Sequence, residues 1–205
     1  MKIKDLYDNL IIIIDDSINS VYAVCDPYYL SDKVKLKIRE YTIEFAFLEV
    51  YKNWEYFLEQ TFMSYSLNEI SLNSETPECY INPIDRAHAD RLIKGSALYP
   101  DWSDHEKVIA LAESIFLDGE PYKTVLKNIS SHLKEMKKIR NQISHNSNKS
   151  RDTFDSFIRN KLSACKVGIS VSDFLIIKKG VSLSFIEIYF TYIRNSATII
   201  ANYMK

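Results

Sequence analysis

The chain has 205 residues, of which 46% are hydrophobic, and this is enough for one folded domain with a sizeable core. Its formal net charge of −1 excludes a uniformly basic nucleic-acid-binding protein. It contains only four glycines and five prolines, so the composition favours long helices over a turn-rich β fold. We therefore predict an all-α protein with a single domain spanning 1–205.

The N-terminal third of the chain predicts two long helices. The first covers 4–25, and the Asp-Pro pair at 26–27 ends it, because the residue before a proline avoids helical backbone. The second follows a Ser-Asp cap at 31–32 and runs to about Leu67 without an intervening Gly or Pro. Its broad apolar surface indicates a central helix that pairs in antiparallel fashion with the first.

The rest of the chain predicts shorter helices joined by loops. The predicted helices cover Ile84–Lys94, 104–117, 121–145, Thr153–Cys165 and Ser184–Met204. The predicted loops and breaks cover Asn68–Pro83, Gly95–Ser103, Asn146–Ser150 and Gly180, and Ser172–Ile177 is read as a short helix or an irregular segment. In the helix at 121–145, Pro121 suits the first turn because its missing N–H would be unpaired there anyway.

The helix at 121–145 has an apolar stripe with one gap. Apolar residues recur along it at Leu126, Ile129, Leu133, Met136 and Ile143. The spacing leaves Arg140 at the missing position, and an inward-facing arginine is costly unless it is paired or used. Asn141 and His145 lie one helical turn apart on a shared face. We therefore predict a functional site formed by Arg140, Asn141 and His145.

The six residues Arg140-Asn141-Gln142-Ile143-Ser144-His145 resemble the motif of the HEPN superfamily, in which an Arg, often followed by Asn, precedes a His by four to six residues. The resemblance implies an antiparallel helical bundle of HEPN type with additional short helices. It also implies an endoribonuclease that needs neither metal nor cofactor, with a composite active site in a homodimer. Many such proteins are toxins or phage-defence components, some with a nucleotidyltransferase-type antitoxin as partner.

The motif residues suit RNA cleavage by the ribose 2′-hydroxyl. Histidine suits the proton transfers, because its unperturbed pKa is about 6.5, and the planar cation of arginine suits a phosphate that gains negative charge. Asn141 can bind the phosphate or hold His145 in one tautomer. Arg140 and His145, however, are separated by about 140° around an ideal helix. Their convergence therefore requires a distorted helix, a long reach by Arg140 or a second chain.

Basic residues are concentrated around the motif. Between Pro121 and Arg151 the chain has eight basic residues and one acid, whereas the remainder has 18 basic and 26 acidic residues. A basic segment on an acidic chain is what a local polyanion site requires, although a solvated helix face has the same composition. The basic residues predicted to bind the RNA substrate are Lys137, Lys138, Lys149 and Arg151.

Two other functions are compatible with the same residues. A HEPN-like module would bind RNA or a nucleotide without cleaving it. A helical scaffold would instead pair Arg140 with a buried acid and place His145 at a helix C-terminus, where the helix dipole favours a cation. Glu55, a carboxylate among aromatic residues of the second helix, is a candidate to orient Arg140 or His145, or else it faces solvent.

Other classes of site have no sequence support. The remaining histidines have no metal-ligand spacing, so we predict no metal, and the scattered glycines form no phosphate-binding loop. Three widely separated cysteines form no C-x-x-C pair, which favours a reducing cytoplasm. The longest purely apolar run, Leu10–Ile14, is too short to span a bilayer. We predict a cytoplasmic protein without a membrane partner.

Overall fold

The structure, a computed structural model, describes residues 1–95, 100–145, 147–162, 168–179 and 183–205. Its α-helices are α1 (Ile3–Val24), α2 (Lys33–Ser66), α3 (Arg86–Lys94), α4 (His105–Ile115), α5 (Tyr122–Asn128), α6 (Ser130–His145), α7 (Asn148–Leu162), α8 (Val171–Leu175) and α9 (Phe185–Ala201). Strands β1 (Lys178–Lys179) and β2 (Leu183–Ser184) form an antiparallel pair before α9. The prediction of a mostly helical protein is confirmed, and none of the described helices is long and apolar enough to cross a membrane.

Side-chain caps explain where two of the helices begin. Asp32 Oδ1 accepts hydrogen bonds from the backbone N–H groups of Val34 and Lys35, both at 2.9 Å, so the predicted cap at 31–32 is confirmed. Asp104 accepts from two N–H groups at the start of α4 in the same way. These carboxylates also carry negative charge at the positive end of a helix dipole, which stabilises both helix starts.

The predicted helix at 121–145 is two helices, so that prediction is wrong. The helical φ and ψ angles are interrupted at Ile129, which has φ −106° and ψ 11° between α5 and α6. Asn128 and Ser130 flank the break, and both residue types are weak helix formers because their side chains compete for backbone hydrogen bonds. Ile129 is nevertheless buried, so the apolar pattern continues across the break.

Within the polar break predicted at Asn146–Ser150, residue 146 lies outside the described residues. The prediction is wrong for 148–150, because α7 begins at Asn148 rather than at Thr153. Ser147 Oγ accepts the Ser150 N–H at 3.2 Å, and the Ser147 carbonyl accepts the Ser150 hydroxyl at 2.9 Å. These bonds satisfy backbone groups at the start of α7. Ser147 therefore caps a helix in a segment whose composition had suggested a loop.

The segment after α7 differs from its prediction in detail. The alternative of a short helix at Ser172–Ile177 is confirmed in the form of α8, which Ser170 caps at its N-terminus. The β1–β2 pair was not predicted, because strands of two residues carry no readable alternation. The predicted helix end at Cys165 and the predicted break at Gly180 lie outside the described residues.

The described residues group into two compact units. Unit 1 comprises Met1–Ile12, Asn53–Ser130 and Ile193–Lys205. Its core contains an aromatic cluster in which the Phe62 ring centroid lies 4.8 Å from that of Phe116 and 5.0 Å from that of Tyr122. The Tyr122 hydroxyl donates to Thr61 Oγ1 at 3.0 Å, and burial raises the pKa of Tyr122.

Unit 2 comprises Ile13–Lys52 and Ser131–Tyr192, and it contains the whole predicted motif. Phe174 of α8 lies at the centre of its aromatic core, with ring centroids of Phe157 and Phe185 at 5.4 Å and 4.5 Å. The N-terminal part of α2 belongs to this unit, and the broad apolar surface from which a central helix was predicted is not buried at Tyr41 and Phe45. These two rings are 60% and 66% exposed.

Candidate functional site

The buried face of α6 fixes the orientation of the motif. Leu133, Met136 and Ile139 are all buried, and Ile139 has no exposed surface. The apolar stripe therefore continues through Ile139, and the inference that Arg140 occupies a gap in it is wrong. Arg140 is the next residue round the helix, at the edge of the buried face, and its side chain is only partly buried. This position gives its guanidinium access to solvent without a break in the core.

Two of the motif residues are joined by a hydrogen bond. Arg140 Nη1 donates to Asn141 Oδ1 at 3.1 Å. Among the residues that the structure describes, no carboxylate lies within ion-pair distance of the Arg140 guanidinium. No carboxylate of the described residues therefore balances the guanidinium charge, and its other N–H donors can accommodate an anion.

His145 is the last residue of α6, and its side chain is exposed. The carbonyl groups of the last helical turn lack intrahelical partners, and they can accept hydrogen bonds from donors at this end of the helix. Asn141 lies one turn earlier and is partly buried. The helix therefore presents an imidazole and an amide on one face, at an end that solvent reaches.

A small pocket lies where α6 meets the start of α7. Its volume is about 200 Å³, and it is lined by Lys138, Asn141, His145, Ser147, Lys149, Ser150 and Thr153. We call it the motif pocket. The described lining residues supply two ammonium groups, an imidazole, an amide and three hydroxyls, and they include no carboxylate. Such a set of donors suits a phosphate group.

Cross-helix contacts explain how α6 and α7 meet to form this pocket. Lys161, near the end of α7, bonds to Glu135 near the start of α6, whereas Lys138 Nζ lies 5.6 Å from the Phe157 ring centroid, nearer the middle of both helices. The two helices therefore run antiparallel. The end of α6 and the beginning of α7 meet at the same place, which brings residues on both sides of position 146 together.

The motif pocket contains four of the predicted site residues. Asn141, His145, Lys138 and Lys149 all line it. The side chains of Arg140, Lys137 and Arg151 do not line it, although Arg140 contacts it through Asn141. The prediction that Arg140 and His145 do not converge automatically within one chain agrees with this arrangement.

The predicted supporting role of Glu55 stays a prediction. Glu55 lies on the part of α2 that belongs to unit 1, and its side chain is partly buried. Its Oε1 atom is buried. The sequence interpretation in which the Glu55 carboxylate faces solvent is therefore wrong.

A second and larger pocket of unit 2 was missed by the sequence analysis. Its volume is about 540 Å³, and its walls come from α2, α6, α7 and residues 168–171 at the start of α8. We call it the large pocket. It includes Gln142 and Ile143, which lie between Asn141 and His145 in the sequence, and Arg151 of α7. The sequence feature that could have indicated this pocket is Glu44, a carboxylate within the apolar sequence of α2.

A polar cluster at the start of α6 was also missed. Lys161 Nζ donates to both carboxylate oxygens of Glu135, at 2.6 and 2.8 Å, and the Tyr189 hydroxyl donates to Glu135 Oε2 at 2.9 Å. Burial, together with the nearby Glu135 charge, raises the pKa of Tyr189. The three groups neutralise and satisfy one another, which is what a structural cluster requires.

The described residues contain no group of three His, Cys, Asp or Glu side chains placed to hold a metal ion. Metal independence nevertheless remains a prediction for experiment. Comparisons of the chain with protein-family models, with curated proteins and with solved structures found no match. The HEPN resemblance therefore rests on six residues of sequence, and any function must be argued from the site itself.

Proposed function

We propose that this protein is a HEPN-like, metal-independent endoribonuclease whose reaction takes place at the motif pocket. The observation that supports it is the pocket itself, which Asn141 and His145 of α6 line together with Lys149 and the hydroxyls of Ser147, Ser150 and Thr153. A positively charged pocket with an exposed imidazole matches the two needs of RNA cleavage, a bound phosphate and a proton carrier.

In the proposed reaction, the ribose 2′-oxygen attacks the adjacent phosphorus and the bond from phosphorus to the 5′-oxygen breaks. His145 takes the proton of the 2′-hydroxyl or gives one to the departing 5′-oxygen. Lys138 and Lys149 bind the phosphate, which gains negative charge as the reaction proceeds. The products are a 2′,3′-cyclic phosphate and a 5′-hydroxyl end.

In this proposal Arg140 has two roles. It orients Asn141 of its own chain, and it contributes to the site of a second copy of the chain. Its hydrogen bond with Asn141 orients the amide that lines the motif pocket. One imidazole cannot serve as acid and base in the same step, so two copies related by a dyad would supply the second His145 together with a second Arg140. The proposal therefore includes a homodimer, and a monomer by light scattering at micromolar concentration would contradict that part.

The test is incubation of the purified protein with RNA in the presence and absence of chelator. We expect cleavage that survives chelator, leaves cyclic phosphate ends and spares DNA, which lacks the attacking 2′-hydroxyl. Activity that requires added magnesium would contradict the mechanism. RNA binding without cleavage would instead indicate a binding module, the alternative that the same residues allow.

The contribution of the basic residues is tested by the salt dependence of binding. Each phosphate contact to single-stranded nucleic acid contributes about 0.7 to the slope of log K against log salt concentration. Replacement of Lys138 or Lys149 by Gln should lower the slope by about that amount. Lys52, an exposed lysine on α2 outside both pockets, provides the matched control, and Lys52→Gln should leave the slope unchanged.

A further inference from the structure

The large pocket has the size of a small-molecule site, and its lining combines apolar side chains with several charged groups. Its volume of about 540 Å³ lies within the range of known ligand pockets. Ile143, Phe154 and Val171 provide apolar surface. The charged lining residues are Lys37, Glu40, Glu44, Arg151 and Asp155. Apolar surface beside charged and hydrogen-bonding groups can hold a flat ring that carries hydrogen-bonding edges.

Glu44 is the unusual group in this pocket. Its side chain is partly buried, and burial, followed by repulsion from Glu40, raises the pKa of its carboxyl group. Within the described part of the chain, Glu44 has neither a hydrogen bond nor an ion pair. Removing a carboxylate from water without giving it a partner costs free energy. A ligand with N–H donors would remove that cost.

The pocket entrance has the features of a surface for an aromatic base. Tyr41 is 60% exposed there, and the faces of exposed aromatic rings stack with nucleobases. Lys37 Nζ lies 4.6 Å from the Tyr41 ring centroid and donates to Glu40 at 2.8 Å. This ion pair neutralises one of the acids, so the entrance repels a polyanion less than the number of its carboxylates suggests.

The two pockets are close to each other, where the end of α6 lies beside the start of α7. Gln142 and Ile143 of the large pocket lie between Asn141 and His145 of the motif pocket in the sequence. Along α7, Arg151 of the large pocket lies next to Ser150 of the motif pocket. An α-helix is about 10–12 Å wide with its side chains, so a strand of RNA can reach both sides of it.

We propose that the large pocket binds a guanine base, with the Glu44 carboxylate accepting hydrogen bonds from two adjacent N–H groups of the base. On the proposed function, on which this inference rests, the base belongs to RNA bound at the motif pocket, near the cleaved bond. Guanine presents a ring N–H and an amino N–H side by side, which matches two carboxylate oxygens. Uracil presents a single ring N–H flanked by carbonyl acceptors, which a carboxylate repels.

The first experiment measures binding and needs no cleavage. Guanosine and uridine monophosphate are titrated into the full-length protein, into Glu44→Gln and into the control Glu59→Gln, which changes a partly buried glutamate of α2 outside both pockets. We expect the protein to bind the guanosine nucleotide about ten-fold more tightly or better, a preference of the size one good base contact gives. Glu44→Gln should lose this preference and Glu59→Gln should keep it.

The second experiment maps the ends of cleaved RNA. We expect a guanine at a fixed position relative to the cut, a preference that Glu44→Gln removes and that Glu59→Gln keeps. Guanosine monophosphate that competes with RNA indicates a base of the substrate in the pocket. Guanosine monophosphate that changes the rate without competing indicates a free nucleotide there instead.

The outcomes separate this inference from the proposed function. Guanine-selective binding by a protein that does not cleave RNA would overturn the nuclease and keep the base site. Cleavage without base preference, together with equal affinity for the two nucleotides, would overturn the base site alone. A guanine preference that survives in Glu44→Gln would also overturn the role of Glu44 and with it the inference. A circular dichroism spectrum and melting curve of Glu44→Gln establish that the variant is folded.

Discussion

The polar residues in the two halves of α6 have different surroundings. In the first half, Glu135 accepts hydrogen bonds from Lys161 and Tyr189, and the His132 ring lies 3.8 Å from that of Tyr192 in a stacked arrangement. In the second half, His145 is exposed at the helix end, and the described residues lining the motif pocket contain cations but no carboxylate. One helix therefore contains a neutralised cluster and an uncompensated positive pocket.

This difference shows how to separate structural from functional polar residues. A charge that is paired and saturated with hydrogen bonds lowers the cost of its own burial and leaves nothing for a ligand. A group of like charges without a counter-charge destabilises the fold slightly, and such a cost is expected where a protein binds a ligand of opposite charge. The contrast predicts that substitutions in the first half affect stability, and that substitutions in the second half affect activity.

The largest expected effect is that of His145→Ala on RNA cleavage. Loss of a general acid or base should slow cleavage by roughly 10²–10⁴-fold. The melting temperature should stay within about 1 °C, because the side chain is exposed. The matched control is His132→Ala, which removes a stacked imidazole and should lower stability by about 1 kcal/mol while the folded variant cleaves normally. Equal activity of the two variants would contradict the proposed role of His145.

Arg140→Leu should have the next largest effect. We expect cleavage to fall roughly 10²–10³-fold, by analogy with the loss of one preorganised donor to a developing charge. Stability should be unchanged or slightly higher, because leucine extends the apolar face beside Ile139. Calorimetry of the variant gives the answer. A large fall in melting temperature, with no cleavage by the wild type, would favour the scaffold interpretation, in which Arg140 pairs with an acid.

The reverse experiment is Glu135→Ala in the first half of α6. The change leaves the Lys161 ammonium and the Tyr189 hydroxyl without their acceptor, and the side chains of Glu135 and Lys161 are only 18% and 21% exposed. We expect a loss of about 2–3 kcal/mol in the free energy of unfolding, measured with urea, and little change in cleavage by the folded protein. Glu113→Ala, which breaks an exposed ion pair with Lys123, should have a much smaller effect.

The sequence predicts those features of the fold that depend on a few neighbouring residues. The starts of α2 and α4 depend on caps at Asp32 and Asp104, which act within three residues, so the sequence predicts them well. The break at Ile129 was missed, because a stripe at helical spacing continues across it. Arg140 was assigned to the stripe, because the spacing pattern does not distinguish position 139 from position 140 when both are compatible with the same face.

The pockets depend on contacts between distant segments, and these are the part that the sequence does not reveal. Asn141 and His145 share a face by their spacing alone, so their common pocket was predictable. Lys149 and His145 line the same pocket because Ser147 caps the start of α7 and because α7 packs antiparallel to α6. The large pocket required α2 to lie beside both helices, and no pattern within α2 indicates which element covers Glu44.

The smallest expected effect concerns Glu44. Its side chain is partly buried, and within the described residues it accepts none of the kind of hydrogen bonds that Glu135 accepts. Because burial raises the pKa of Glu44 in the folded protein, the folded state binds the proton more tightly than the unfolded state. Stability is therefore lost as the pH rises through the range between the two pKa values.

Glu44→Gln removes this penalty and should melt about 1 °C higher than the wild type at pH 8, with the difference vanishing below the ordinary glutamate value of 4.5. Glu113→Gln provides a control of opposite sign, because the hydrogen bond from Lys123 lowers the pKa of Glu113. That variant should be less stable than the wild type at pH 8, and this difference should fade as the pH falls. Melting curves of the three proteins across this pH range measure both signs in one series. If Glu44→Gln were instead destabilising at pH 8, the carboxylate would have a partner within the protein, and the large pocket would lose its main reason to bind a base.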